Sequence, residues 1–446
     1  MPTRACTLIS VSLGFGGRLR HTARMSTAAP PSRAGSAGRP LSRLAVLVVD
    51  DFANMRATLR EMLLTSGFED IDLARDGVDA LDKLERRRYD IVLCDYNLGD
   101  GPDGQQVLDR AREQGWVGPA TVFVMVTAEN SNEMVMGALE SGPDAYLSKP
   151  FNRELLVVRL QRALRRRDPL RALDPYWRRG EFAQARAEAE RMLEAGEGRA
   201  ADLQRLRSDL ALAEGEPGVA AEAARAVTGE TTPPWAQVRL GEVAEAEGDL
   251  AAAEEAYRAA IAATPYYMPA HDRLAFVLER TGREREALDV LVAAAERSPK
   301  SLARQRALGR LALAQGEYER AARAWRHAMA LATQMQIPHP GDMAYQLEAL
   351  IARGATREAR TKLQSLESDY RGHPEVHWWV VVTRLRLLLA GVAVDRAGLL
   401  GQLDAAMAAG SPPPALREVL PDLLEQAGEG ERARSLRTSN GGPGET

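Results

Sequence analysis

Three acidic residues, a threonine and a lysine stand where apolar runs end. Asp50 and Asp51 follow Leu44-Ala-Val-Leu-Val-Val49, and Asp95 follows Asp90-Ile-Val-Leu-Cys94. Thr127 follows Thr121-Val-Phe-Val-Met-Val126, and a shorter run leads into Lys149-Pro150-Phe151. Runs of this length and character read as buried strands. In an open parallel sheet, ligands bind beyond the carboxyl ends of the strands. Three carboxylates brought to one such rim repel one another, because two unit charges about 4 Å apart near a surface interact by about 4 kcal/mol. A hard divalent cation relieves that repulsion, and Mg2+ characteristically takes one or two carboxylates together with a phosphate oxygen. Asp95, alone at its strand end, is then the nucleophile toward a phosphoryl group. Thr127 can donate a hydrogen bond to that group and Lys149 can pair with its charge.

These residues meet only if the runs are strands of one sheet. From about Leu44 to Arg166, apolar runs alternate with segments of helical period, roughly 52–66, 77–87, 104–114, 130–141 and 151–166. Five short strands alternating with five helices predict a doubly wound α/β domain built on a five-stranded parallel sheet. Turn-forming residues agree: Gly67, Gly77, Gly101-Pro102-Asp103-Gly104 and Gly142-Pro143 all fall between the runs. The last helix ends in Arg165-Arg166-Arg167-Asp168-Pro169, cations that suit a helix C-terminus followed by a proline that stops it.

Beyond residue 170 the strand pattern vanishes and the chain repeats itself. Leu240, Leu274 and Leu308 are 34 residues apart, as are Gly248, Gly282 and Gly316. The same offset links Ala253, Ala287 and Ala321, then Tyr257, Leu291 and Trp325, then Ala260, Ala294 and Ala328. Small residues at 253 and 260 let antiparallel helices approach, the large residue at 257 fills the space beside the next unit, and the glycine turns the chain. Gly180 with Ala185, Gly215 with Ala220 and Gly354 with Ala359 are weaker copies. About six helix pairs are therefore expected from 170 to 370, followed by a poorly periodic helical cap over 374–435.

Composition bounds the remaining options. At 446 residues the chain exceeds one ordinary core. The net charge of −4 conceals an asymmetry, since residues 1–49 hold seven arginines, no lysine and no acid, which leaves −11 for the rest. A net acidic body argues against nucleic acid as a direct partner. Cys6 and Cys94 are the two cysteines, and Cys94 falls inside an expected strand, so a disulfide framework is not expected and a reducing, cytoplasmic location is. No stretch approaches the roughly 20 apolar residues of a membrane span. Residues 1–42 have a transit-peptide-like composition but read as a disordered leader, or as an over-extended start with Met25 as the alternative initiator; residues 437–446 read as a disordered tail.

Val48-Val-Asp-Asp-Phe52, Asp95, Thr127-Ala128 and Tyr146-Leu-Ser-Lys-Pro-Phe151 together resemble the receiver domain of bacterial two-component response regulators, across residues 43–167. The resemblance implies a flavodoxin-like fold in which Asp95 accepts phosphate from a histidine kinase or histidine phosphotransfer protein. It implies Mg2+ held by Asp50, Asp51, Asp95 and the backbone carbonyl of Asn97. Thr127 and Lys149 would bind the phosphate, and Thr127 with Tyr146 would form the switch pair. Asn97 and Glu129 flank the site where receivers tune phosphate lifetime, so a short-lived aspartyl phosphate is expected. No enzyme activity is expected beyond the domain's own phosphorylation and dephosphorylation.

The period of 34, with its order of Leu-Gly, Gly, Ala, aromatic, Ala and Pro, resembles the tetratricopeptide repeat. This makes residues 170–436 an all-α solenoid that binds protein. Groove positions would include Val238, Glu242, Asp272, Phe276, Arg306 and Arg310. No helix-turn-helix, cyclase or phosphodiesterase signature accompanies it. The expected function is a response regulator acting through protein contacts of its repeats. The alternatives are a phosphate sink or phosphorelay intermediate whose repeats dock the kinase, and a regulator acting indirectly on transcription or RNA. No membrane partner is expected, and a homodimer through the receiver is a further option. Neither the six histidines, none of which falls in 43–167, nor the pair His373 and His377 around Pro374 suggests a metal site.

Overall fold

The structure, a computed structural model, describes residues 39–99, 101–128, 142–227, 229 and 232–440. Five strands, β1 (Ala45–Val49), β2 (Asp70–Ala74), β3 (Ile91–Asp95), β4 (Val122–Thr127) and β5 (Ala145–Ser148), form one sheet in the order β2-β1-β3-β4-β5. Every pairing is parallel. β1, β3 and β4 are buried along their whole length, which is why their sequences are unbroken apolar runs rather than alternating ones.

Alternate side chains of each strand serve opposite faces. Val46 and Val48 join Leu93, Val124, Leu59, Leu63, Leu156 and Leu160 on one side of the sheet. Leu47 and Val49 join Val92, Phe123, Ala80, Leu84, Val107 and Leu108 on the other. Thus α1 (Ala53–Leu64) and the helix Arg153–Arg167 cover one face, while α2 (Gly77–Arg86) and α3 (Gly104–Glu113) cover the other. Local signals set the helix starts. Asp76 accepts from the Asp79 amide, Asp103 and Gln106 form a reciprocal capping box, and Asn152 accepts from the Leu155 amide. These ranges differ from the expected ones by at most two residues at each end, where caps rather than periodicity decide. The expected helix over 130–141 lies outside the described residues.

From Asp174 onward every described element is helical except for short 3-10 turns. The chain falls into two compact units, the first ending at Arg283 and the second beginning at Glu284. The first unit therefore joins the sheet to the helices as far as Met268–Arg280, and the expected boundary near 167–170 lies inside it, on the 3-10 turn Asp168–Leu173. The six glycines that the sequence marks as turns, at 180, 215, 248, 282, 316 and 354, all adopt left-handed backbone, with φ between 68° and 85°. A side chain is strained there, so glycine ends one helix and starts the next. Gly391 and Gly428 do the same for two further helix pairs near the C-terminus. Their 37-residue spacing falls out of register with 34, which is why that region looks aperiodic in sequence. No helix among the described residues is long and apolar enough to cross a membrane.

The repeated small and large positions pack as a pair within each unit. In the first, a Cβ added at Gly241 would come within 2.4 Å of the Tyr257 ring. In the second, one added at Gly309 would meet the Trp325 indole at 2.6 Å. Alanine is the better helix former by about 1 kcal/mol, so the sign of a substitution reports the packing. Gly241→Ala is expected to destabilise by about 1–3 kcal/mol, the range for overpacked sites, seen as a lower urea midpoint of the helical circular-dichroism signal. Adding Tyr257→Leu should restore part of the loss. A raised midpoint for Gly241→Ala alone would show that the ring does not rest on that glycine.

Candidate functional site

The strand order puts the carboxyl ends of β1, β3, β4 and β5 side by side, and the polar residues after them converge there. Carboxylate oxygens of Asp50, Asp51 and Asp95 lie within 4.8 Å of one another. Lys149 Nζ donates to Asp50 Oδ2 at 2.8 Å and to Asp95 Oδ2 at 2.7 Å. Thr127 is completely buried at the end of β4, beside Ser148 in the β5 register. The Lys149 amide donates to the Thr127 carbonyl at 2.7 Å, which carries the lysine around to the acidic side.

Burial raises the Asp95 pKa and the Asp50 charge adds to that, while Lys149 and the Asn97 backbone amide oppose them; the net shift is upward. For Lys149, burial lowers the pKa, but hydrogen bonds to Asp50 and Asp95 and their charges outweigh it and raise it. One lysine thus partly offsets three carboxylates. Asp51 Oδ1 is buried with no hydrogen-bond partner among the described residues. A hard oxygen set of this kind, with one oxygen left unmatched, fits a small divalent cation. The neighbouring Cys94 does not compete as a nucleophile, because complete burial and then the Asp95 charge push its thiol pKa well up.

Two features of this rim had no sequence signal that singled them out. Arg56 on α1 donates through Nη1 to the Asp50 carbonyl at 2.6 Å, while Asp50 Oδ1 accepts from the Phe52 amide at 2.9 Å. Together they pin the loop that carries the acid pair. Gly104, at the start of α3, sits so close to β3 that a Cβ would lie 2.2 Å from the Asp95 carbonyl oxygen. Gly104 stands nine residues past Asp95, and nothing in that spacing demands such an approach.

All but one of the remaining expected residues have definite places. Asn97 is exposed beside Asp95, and Glu129 lies outside the described residues. Tyr146 on β5 is partly buried against the apolar cluster under α2 and α3, its hydroxyl has no partner among the described residues, and burial raises its pKa. Of the groove positions in the first unit, Val238 and Glu242 are buried, and Glu242 accepts from Arg239 at 2.6 Å. Asp272 is half-buried, and the Phe276 ring lies under Arg273 and Arg280. In the second unit Arg306 makes a two-bond ion pair with Asp342, at 2.8 and 2.7 Å, and Arg310 is exposed.

Residues 46–161 match the family described as the response regulator receiver domain. The response regulator MprA of Mycobacterium sp. strain KMS is 38% identical over 124 residues, which is 28% of this chain and 52% of that protein; MprA of strain JLS matches equally. The chain therefore spans about half the length of these curated relatives. Among solved structures, the Vibrio cholerae chemotaxis protein CheY4 is 32% identical with a TM-score of 0.26, covering 27% of this chain and 98% of that one. A CheY-like receiver domain protein from Methanospirillum hungatei JF-1 is 26% identical, with a TM-score of 0.26 and coverages of 28% and 96%. The sheet and its flanking helices are thus a receiver domain of the two-component response regulator kind, a signalling module.

The unmatched Asp51 oxygen generates a test. Asp51→Asn should keep or raise stability without metal, because Oδ1 makes no hydrogen bond among the described residues and one of three mutually repelling charges is removed. Mg2+ at about 100 times its dissociation constant should stabilise the wild type by about 2.7 kcal/mol, seen as a higher thermal midpoint, and should do little for the variant. An equal metal response in both proteins would remove Asp51 from the ligand set.

Proposed function

We propose that this chain is a two-component response regulator. Asp95 is phosphorylated by a histidine kinase or phosphotransfer protein, and the output is a protein contact made by the helical repeats. The observation that carries this reading is the lysine-bridged carboxylate cluster at the carboxyl edge of a receiver sheet. Asp95 supplies a carboxylate oxygen to phosphorus, and the donor's P–N bond breaks with its electron pair returning to imidazole. Lys149 pairs with charge on the transferred group, and the buried Thr127 hydroxyl donates to it. Asp50, Asp51, Asp95 and the Asn97 carbonyl would hold Mg2+, which when bound neutralises phosphoryl charge. Asn97, exposed beside the acceptor, and Glu129 would keep the aspartyl phosphate short-lived.

The 34-residue period, the left-handed glycines and the rings seated on Gly241 and Gly309 support reading 170–436 as tetratricopeptide-like repeats, with 43–167 as the receiver. Such arrays bind proteins. Of the six groove positions, Asp272 and Phe276 in the first unit are half-buried, and in the second Arg306 is half-buried and Arg310 exposed, so these four keep surface that a ligand could touch. A cytoplasmic location belongs to this reading, and so does the option of pairing through the receiver.

Incubation with acetyl phosphate and Mg2+ should add one hydroxylamine-labile phosphoryl group at position 95, absent from Asp95→Ala. Lys149→Ala should slow its formation roughly 10²–10³-fold, the usual loss for one charge-stabilising donor. Phosphate that labels Asp95→Ala equally would overturn the assignment. Partner capture with and without beryllofluoride then tests the output, with an affinity change of about 5- to 150-fold expected. An unchanged affinity would favour a phosphate sink.

A further inference from the structure

The opposite edge of the receiver sheet carries a second set of carboxylates. Asp90 and Asp144 stand immediately before β3 and β5, so they lie at the amino ends of the strands. Each is divided between the sheet and an arginine beyond it. Asp90 Oδ2 accepts from the Ala45 amide at 2.9 Å, and Oδ1 accepts from Arg171 Nη1 at 2.7 Å. Asp144 Oδ2 accepts from the Phe123 amide at 2.8 Å, and Oδ1 accepts from Arg167 Nε. The Asp144 side chain is only 2% exposed. Next to Arg167, Arg166 grips Asp202 of the helix Ala200–Ala213 through two bonds, 2.8 and 2.6 Å long. Ala120, just before β4, shares one apolar cluster with Leu170, Leu173, Ala189, Met192 and Leu203. Arg112 of α3 donates to the Gly142 carbonyl at 3.0 Å; burial and the nearby cations Arg205 and Arg167 lower its pKa, against Asp144, to about 10, so it remains charged.

The first helices after the receiver are therefore packed against the edge remote from Asp95. Strands of five residues hold the two edges about 17 Å apart. Two elements in direct succession cross that distance. β5 leads from beside Asp144 up to Ser148, next to Lys149, and the helix Arg153–Arg167, about 22 Å long, returns to the starting edge. Their far ends are closed by the Asp144–Arg167 pair, and their near end is tied to Asp50 and Asp95 through Lys149. A strand and helix joined at both ends shift together rather than separately.

We propose that this closed strand–helix unit, locked by Asp144–Arg167 and coupled through Arg166–Asp202, transmits the state of Asp95 to the first helical repeats. The inference rests on the receiver reading above and deepens it by naming the route. Phosphorylation then acts on the repeats without releasing them from the receiver.

Hydrogen exchange of the full-length protein tests this, with Mg2+ and beryllofluoride as the probe and occupancy measured separately by fluorine resonance. Beryllofluoride should slow amide exchange in 182–213 by about 5-fold or more, the low end of allosteric coupling. In Arg166→Ala and Asp202→Asn the probe should bind as in the wild type while that response disappears. The charge-exchanged pair Arg166→Asp with Asp202→Arg should regain it. Full occupancy without any change in 182–213, or an undiminished change in both single variants, overturns the route. Failure of the probe to bind at all would instead bring down the receiver reading, and this proposal with it.

Discussion

The ammonium of Lys149, held between Asp50 and Asp95, is the interaction around which the receiver is arranged. Three carboxylates with oxygens within 4.8 Å of one another repel, and the ammonium offsets part of that repulsion. To bring the lysine there, β5 must lie beside β4, and β4 beside β3, in parallel and in register. The sheet order, the buried apolar strands and the glycine contact against the Asp95 carbonyl all serve that convergence. A cluster of three carboxylates with one lysine and an unmatched Asp51 oxygen fits a further cation.

Carboxylates at the two edges of the sheet have opposite duties. At the carboxyl edge they are crowded together with an acceptor oxygen unfilled. At the amino edge Asp90 and Asp144 are spaced apart, each filled by a strand amide on one oxygen and an arginine on the other. Isolated surface ion pairs contribute little to stability. These are partly buried and share their carboxylates with the backbone, so losing one arginine would leave a desolvated charge behind. Their arginine partners, Arg167 and Arg171, tie the sheet to the turn Asp168–Leu173, inside the first compact unit. The receiver and its nearest helices have one continuous set of contacts across a 3-10 turn, with no linker between them.

Within the helical portion, one packing rule recurs with different residues. Tyr257 on Gly241 and Trp325 on Gly309 occupy the same places 68 residues apart, so a two-repeat separation preserves the ring and the missing side chain together. Neighbouring helices add polar contacts that vary from unit to unit, such as Tyr257 to Glu245 in the first and Arg306 to Asp342 in the second. Several positions that periodicity directs toward a groove are occupied in this way. Periodicity reports which side of a helix a residue is on, but not whether a neighbour already fills its hydrogen bonds.

Residue order alone placed four of the five strands, the acidic strand ends at Asp50 and Asp95, the lysine that meets them and the six glycine turns, because each depends on local requirements. A fully buried strand must be apolar throughout, a strand end can carry only a few polar groups, and a left-handed turn excludes most side chains. Tertiary structure decided what required partners distant in sequence. The Arg56 clamp on the Asp50 carbonyl, the double use of Asp90 and Asp144, and the burial of Glu242 against Arg239 are of this kind. An arginine or aspartate reads the same in a sequence whether water or another chain segment completes its hydrogen bonds, and only the packed fold makes that distinction.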